Sequence, residues 1–489
     1  MLADMLNTIK RPIWLKTITF LFLLTISYFN YDLFFNVKTE YLTTDLLIFL
    51  LLNCFVLFVT YVRTQPHLSE PWQQVFKNKI AMSCSVVLTF FAIVGLMDSV
   101  HFYQSDKANP ERYSVEMLSL LDSSLEYISS KTEKTYSAPF ATHSYAKESV
   151  INEKGIKGRA YPRLKYGGAH LEELSQSYWS DIALKSVAGI ALGLFIIALL
   201  FAGIFILKRY LRIFELDLPW RVCLYSLSII ILISSWLLYM SQYYHVMGTD
   251  KVGQDILFLT LKSIRTGLVI GTLTTLIMLP FAIALGVLAG FYKGVVDDVI
   301  QYIYTTLNSI PGILLIVAVL LAIDVYIENH ADLFESAIER ADLKLLALCA
   351  VLGLTSWTGL CRLLRGEVFK LRELEYVQAA RALGVSNIRI ILSHIVPNIM
   401  HIVLIVVVLD FSGLVLAEAV LAYIGVGVDP LIVSWGNMIN SARFELAREP
   451  IVWWSLLSAF SFMFALVLAA NLFSDAVRDA FDPRTQGGR

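Results

Sequence analysis

Four stretches of this chain, residues 222–240, 268–292, 299–323 and 451–472, contain no Asp, Glu, Lys or Arg. A helix needs ~20 mostly apolar residues to cross a bilayer core. In lipid every backbone amide must find its partner within the protein, which leaves only helices and closed barrels as spanning structures. Six further segments, 13–29, 42–62, 80–97, 186–207, 345–361 and 399–422, are shorter or carry an isolated charge, and polar loops bound each one. The expectation is an all-α integral membrane protein with about ten transmembrane helices. Composition agrees: 57% of the 489 residues are hydrophobic, 16% are charged and the mean hydropathy is +0.66. That is more apolar than an ordinary globular domain. The segment 13–29 ends in Tyr28, Phe29, Asn30 and Tyr31, without small residues for cleavage, so it reads as an uncleaved anchor.

Net charge is −1, and the basic residues are scattered at helix ends rather than gathered into a basic domain, which argues against nucleic acid as a partner. Their placement orients the chain. Lys10, Arg11 and Lys16, then Arg63, Lys77 and Lys79, then Lys208, Arg209, Arg212 and Arg221 mark cytoplasmic segments by the positive-inside rule. Residues 324–342 carry Asp324, Glu328, Asp332, Glu335, Glu339 and Asp342 against Arg340 alone, and belong outside. Both termini are then cytoplasmic. Cys54, Cys84, Cys223, Cys349 and Cys361 lie in or beside apolar spans without CxxC spacing, so neither a disulfide framework nor a zinc site is expected.

Two regions follow from this layout. Residues 1–218 hold about four spans and a hydrophilic external insert, 98–181, in which Leu118, Leu121, Leu125 and Ile128 have the spacing of one amphipathic helix. Residues 219–489 hold six spans. Between the fourth and fifth of them lies a polar segment, 366–398, that span counting and its basic residues place in the cytoplasm. Glu373 to Leu383 favours helix, Gly384 suits a helix end that needs positive φ, Ser386 can cap a second helix, and Pro397 fixes the approach to the next span. A short helix pair held against the bilayer, with small Ala379 and Ala380 permitting close approach, is a docking element for a soluble partner or an amphipathic connector on the membrane.

The run from Glu375 through Gln378, Ala379, Ala380, Arg381 and Gly384 to Pro397 resembles the EAA loop of binding-protein-dependent ABC importers. Further residues resemble the dipeptide and oligopeptide branch of that family: Gly248-Thr249-Asp250 with Asp255, then Ser434-Trp435-Gly436-Asn437-Met438, then Arg478 to Arg484. The resemblance covers roughly 219–484 and has no counterpart for 1–218. It implies a type I ABC importer permease core in a bacterial cytoplasmic membrane, with the EAA loop forming a coupling helix that enters a cleft on an ATPase subunit. The implied partners are a second permease, so that the pathway is a heterodimer, two ATPase subunits that carry ATP and Mg, an extracytoplasmic binding protein and a peptide substrate. This chain would bind no cofactor or metal and carry no catalytic residue. Two positions depart from the family pattern: Gln378 stands where Glu is usual, with Glu375 one turn earlier as a substitute, and Gln254 replaces an Arg. The acidic loop after Ile323 is also longer than the family's.

Asp410 and Glu418 lie in an apolar span, where an ionisable group needs a cavity or a partner. They are candidate pathway residues bordering one cavity, and Glu418 is alternatively an external scaffold. Asn308 and Pro311 interrupt another span and suggest a gating or static kink. Trp453 and Trp454 read as membrane-boundary anchors. No phosphate loop, HExxH or nucleophile–His pair is present in the sequence. Two other functions compete with ATP-driven import: a gradient-driven secondary transporter using Asp410 and Glu418, and a sensing or assembly subunit using the insert.

Overall fold

A computed structural model of the chain describes residues 38–39, 42–64, 66–105, 113–151, 157–171, 178–208, 218–330, 334 and 336–481. Nine of the described helices are long and apolar enough to cross a membrane. The expected span 13–29 lies outside the described residues. The helices before the insert are α1 (Thr43–Thr64), α2 (Pro66–Lys77) and α3 (Lys79–Asp98). A strand β1 (Lys38–Thr39) precedes them. The insert contributes β2 (His101–Ser105), β3 (Tyr113–Ser119), the short helices α4 (Leu120–Ser124) and α5 (Glu126–Ser129), and the hairpin β4 (Glu148–Ile151) and β5 (Lys157–Ala160). Strands β1, β2 and β3 pair antiparallel in that order.

The expected insert helix is thus shorter than its apolar spacing suggested. Leu118 belongs to β3 and pairs with Phe102. Ser119 then starts α4 with a reciprocal capping box to Asp122, an arrangement that satisfies two backbone donors at once and fixes the strand-to-helix switch. Leu121, Leu125 and Ile128 are buried, as expected of an apolar face.

After the insert come α6 (Tyr178–Lys208), α7 (Trp220–Met240), α8 (Ile256–Tyr292), α9 (Val295–Ser309), α10 (Gly312–Asn329) and α11 (Ala337–Leu371). The expected span 299–323 is corrected: it is two helices, broken where Ile310 and Pro311 take extended ψ values of 131° and 116°. Pro311 cannot donate a backbone hydrogen bond, and the residue before a proline is pushed out of helical geometry, so the break falls there. Helix α9 carries Asp297 and Asp298 in its first turn, and α10 is the spanning piece.

The central helix α8 is longer than the charge-free run 268–292. It starts at Asp255, whose side chain accepts from Leu257 N, and its 37 residues extend for about 55 Å. Lys262 and Arg265 lie inside it because both are paired. Helices α8 and α11 approach closely: a Cβ on Gly286 would sit 2.9 Å from Cys361 O, and one on Gly353 2.9 Å from Ile277 Cγ2. Small residues at such crossings let two membrane helices pack backbone to backbone.

The helices before the insert are joined to this core by buried charge. Arg265 Nη2 donates to Asp45 Oδ1 at 2.6 Å and to Thr44 Oγ1 at 3.0 Å. Thr44 N donates to Asp342 Oδ2 of α11 at 3.1 Å, and Asp45 Oδ2 lies 2.8 Å from His101 Nδ1 of β2. One guanidinium therefore ties α1 to α8 and stands near α11. Beside it, Lys262 pairs with Asp122 of α4 at 2.6 Å.

Candidate functional site

Residues 366–398 form the end of the molecule farthest from the insert, at the other end of α8. Helix α12 (Glu375–Ala382) is followed by a turn, then α13 (Asn387–Ile390), a π-helical turn over Ile391–Ile395, and α14 (Val396–Ile424). Gly384 has φ +77°, Gly384 N donates to Arg381 O, and Val385 N donates to Ala380 O. This pairing closes the helix end in a Schellman arrangement, which a Cβ at the left-handed position would strain. Ser386 stands at the start of α13 with extended geometry but makes no side-chain capping bond. Pro397 sits in the first turn of α14, and the wide turn before it accommodates the missing donor.

Helix α12 is anchored along one edge. Val377 is buried with Ile390, Ile395, Val368 and Phe291. Arg381 lies over the Phe291 ring at 5.6 Å, and Arg372 Nη1 donates to Phe291 O at 2.7 Å. Gln378 Nε2 donates to Glu373 O at 3.1 Å, and Lys293 holds Glu373 Oε1 at 3.1 Å. The carboxylate beside Gln378 is therefore Glu373 rather than the expected Glu375. Its pairing with Lys293 lowers the Glu373 carboxyl below its ordinary range. Glu375, Ala379 and Ala380 occupy the same short helix as Gln378 and Arg381. On the outer side Tyr376, Leu383 and Ile388 are exposed, Leu383 by 84%. A pocket of ≈ 390 Å³ opens between Phe291, Arg372, Glu373, Gln378 and Arg381.

A second linkage joins this end to the broken span. Arg365 of α11 pairs with Asp297 of α9 at 2.8 Å through Nη2, and Thr358 Oγ1 donates to Asn308 Oδ1 at 3.1 Å. Helix α9 is thus bound to α11 near both of its ends, with Asn308 and Pro311 at the break.

The other sequence-selected residues assemble at the insert end, around α15 (Trp435–Glu445) and α16 (Trp454–Phe481). Gly248 has φ +73°. Thr249 N donates to Ser137 O at 3.1 Å, and Thr249 Oγ1 receives Ser137 N at 2.7 Å. Asp250 Oδ1 accepts from Val252 N and Gln254 N, closing a turn, and Gly253 O accepts from Glu133 N at 2.9 Å. Asp255 caps α8 and also holds His245 Nδ1 at 2.8 Å. Burial opposes a charge on His245, but Asp255 and Glu133 outweigh it and raise the imidazole to about 9. Burial likewise opposes charge on Glu133, and His245 with the N–H groups of Lys165, Tyr166 and Gly167 lowers it to about 2. The motif therefore docks the insert on the core.

Glu418 is buried and accepts from Ser434 Oγ at 2.9 Å, against Gly436, where an added Cβ would lie 2.3 Å from Glu418 Oε1. It braces the start of α15, and Asp410 lies eight residues earlier on the same helix α14. Asp410 is half-buried, with no hydrogen bond or ion pair among the described residues. Trp435 Nε1 donates to Thr260 O, and Asn437 Nδ2 to Asp429 O and Ile432 O. Trp454 is buried and donates to Thr249 O at 3.0 Å, so it is a core strut rather than a boundary anchor, whereas Trp453 is exposed.

Sequence reading missed the Arg265–Asp45–Asp342 network, the Glu133–His245–Asp255 group and the Arg365–Asp297 pair. The available signal was the position of Arg265, one turn before an uncharged run.

A multi-pass helical membrane protein with a short exposed helix pair at one end has the architecture of a transport permease. Residues 282–487 match the binding-protein-dependent transport system inner membrane component. The chain is 31% identical over 245 residues to the oligopeptide transport system permease protein OppC of Mycobacterium bovis, covering 50% of this chain and 78% of that one. It is 31% identical over 240 residues to the dipeptide transport system permease protein DppC of Alkalihalophilus pseudofirmus, covering 49% and 72%. The glutathione transport system permease protein GsiD of Pectobacterium atrosepticum matches at 29% over 240 residues, covering 49% and 73%. The chain belongs to the family of inner-membrane permease subunits of binding-protein-dependent ABC importers, in its peptide branch.

Proposed function

We propose that this chain forms one half of the membrane pathway of a bacterial ATP-driven peptide importer, in which α12 couples it to a separate ATPase subunit. The observation that carries the reading is the helix pair around Gly384: anchored on α8 and α11 through Val377, Arg381 and Glu373, it leaves Leu383, Tyr376 and Ile388 uncovered. An anchored edge can pass force to the spans while an uncovered apolar edge receives a partner. A second permease would complete the pathway, two ATPase subunits would hold ATP and Mg, and a binding protein would deliver peptide at the insert end. In this orientation residues 366–398 and both termini face the cytoplasm, and Asn308, Pro311 and Asp410 line or gate the pathway.

The test is purification of the tagged full chain with its native partners, followed by reconstitution into liposomes. Two ATPase subunits and a second permease should co-purify, and peptide uptake should require ATP. Full-rate uptake without ATP, or uptake abolished by a proton ionophore while ATP is maintained, would sink the proposal.

A further inference from the structure

The insert end carries a polar cleft that none of these roles uses. It has a volume of ≈ 280 Å³ and lies between the 250–256 loop, the 430–434 loop, α15 and the start of α16. Lys251, Gln254 and Ser441 at its lip are exposed, whereas Met438, Glu445 and Ser455 at its floor are buried. The cleft is open above and closed below.

Glu445 is only 4% exposed. Its Oε1 accepts from the hydroxyl of Tyr136, an insert residue, at 3.3 Å. Its Oε2 is buried with no hydrogen-bond donor among the described residues, and the same holds for Oδ1 of Asn440, which also lines the cleft. The Ser455 hydroxyl acts on the same carboxyl as a donor, but outside the geometry of a full hydrogen bond to Oε2. Arg448, one turn further on, stacks over the Tyr136 ring at 4.9 Å and forms no ion pair with Glu445 among the described residues.

Buried acceptors left without donors are rare, because each forfeits its hydration for nothing. Here the missing groups are donors, and the charge at the floor is the Glu445 carboxylate, with Asp250 and Lys251 standing at the rim. A divalent cation would need more carboxylate than is offered, since Asp250 at the rim already engages two backbone N–H groups through Oδ1. A primary ammonium supplies one positive charge with three donors. Ile256, Leu259, Ile432 and Met438 give the wall an apolar stretch that suits the side chain next to such a group.

We propose that this cleft takes the free amino terminus of a peptide, with Glu445 as its counter-ion, Asn440 as a second acceptor, and Tyr136 as the positioning residue that holds Glu445. The proposal rests on the peptide-importer reading above. It gives the insert a part in substrate selection, because Tyr136 reaches Glu445 from outside the permease core. Burial raises the Glu445 carboxyl above its ordinary range, and a bound ammonium would restore its ionised form.

The test compares ATP-dependent uptake of one lysine-containing peptide with a free or an acetylated amino terminus. The full chain and its co-purified partners are reconstituted in liposomes, with the same binding protein throughout, so that any preference of that protein cancels between variants. Wild type should favour the free amine by ~10-fold, the size of one charge-assisted hydrogen bond, and Glu445→Gln should bring the ratio most of the way to the value set by the binding protein. Tyr136→Phe keeps the ring under Arg448 and should move the ratio partway. Intact assembly and melting of each variant establish that the change is not misfolding, and Asn440→Ala supplies a second probe if Glu445→Gln fails to assemble. An unchanged ratio in the assembled variants, or equal loss of both substrates, overturns the proposal. Calcium-dependent uptake lost only in Glu445→Gln would replace the ammonium with a metal. An active, assembled complex that moves neither peptide but moves another solute overturns the peptide reading, and this inference with it.

Discussion

The two ends of α8 treat their polar groups in opposite ways. At the insert end, Asp255, His245, Glu133, Thr249 and Arg265 are buried and bonded to one another or to backbone across segments distant in sequence. At the other end Glu373, Gln378 and Lys293 make their contacts at the exposed surface, and Leu383 projects into open space. A region whose donors and acceptors are satisfied internally behaves as a scaffold. A region whose apolar side chains are uncovered is completed by another surface. Stability and assembly should therefore separate between the two ends, and substitutions can test whether they do.

The largest effect is expected at Arg265. Replacing it with Met leaves Asp45 and Asp342 buried near each other with their cation gone. Breaking a buried ion pair from one side costs about 3–5 kcal/mol. Melting of the purified complex should fall sharply, and cysteines placed in α1 should become reactive. A variant that melts with wild type would show that α1 is held by apolar packing alone.

The next effect is one of pH. His245 is raised in the folded protein from an ordinary 6.5 to about 9. A raised pKa contributes stability that is complete below 6.5 and is lost as pH rises through about 9; the limit is about 3 kcal/mol, shared with the carboxylates that cause it. Glu133, lowered to about 2, contributes above its ordinary 4.5 and loses its contribution only in strong acid. Limited proteolysis of the insert should accelerate between pH ~8 and ~10 in wild type, and much less in His245→Gln, which starts weakened. Equal acceleration in both would assign the alkaline loss to another group.

Smaller, and confined to the same end, is Gly253→Ala. Gly253 has φ +78°, and an added Cβ would lie 1.9 Å from Glu133 O. The backbone must shift, at about 1–3 kcal/mol. The insert should become protease-sensitive while the spans melt nearly as before. Loss of the whole fold would mean that the insert is not a separable layer but part of the core.

How far the sequence disclosed this division depended on what each residue type reports. Apolar runs report lipid exposure directly, so the span positions were legible, and Gly384 reported its own positive φ. Spans were cut short wherever a charge appeared, because a charge in lipid is costly unless paired, and its partner lies elsewhere in the chain. Lys262 and Arg265 therefore looked like the end of a helix that continues to Asp255. Glu133 and His245 were invisible for the same reason, since they meet only through tertiary folding. Pro311 announced an irregularity but not its form, because kink and break begin with the same missing donor. The Thr249 and Trp435 motifs were recognised by resemblance, and only the fold shows Thr249 bonding to the insert and Trp435 to α8.

The smallest stability effect is expected at the exposed end, where it matters most for the comparison. Leu383 is 84% exposed, so Leu383→Ser removes no buried contact and should change stability by no more than ~0.5 kcal/mol. If the outer edge of α12 is covered by an ATPase subunit, the same substitution puts a hydroxyl where that surface expects an alkyl side chain. Recovery of ATPase with the tagged chain should then drop severalfold while melting of the isolated subunit is unchanged. Tyr376 offers the control. Its ring meets His394 edge-on at 5.9 Å and its hydroxyl accepts from Asn398 at 3.2 Å, so Tyr376→Ala should lower both stability and recovery. A Leu383 variant that loses stability but not partners would reverse the comparison, making this end the scaffold.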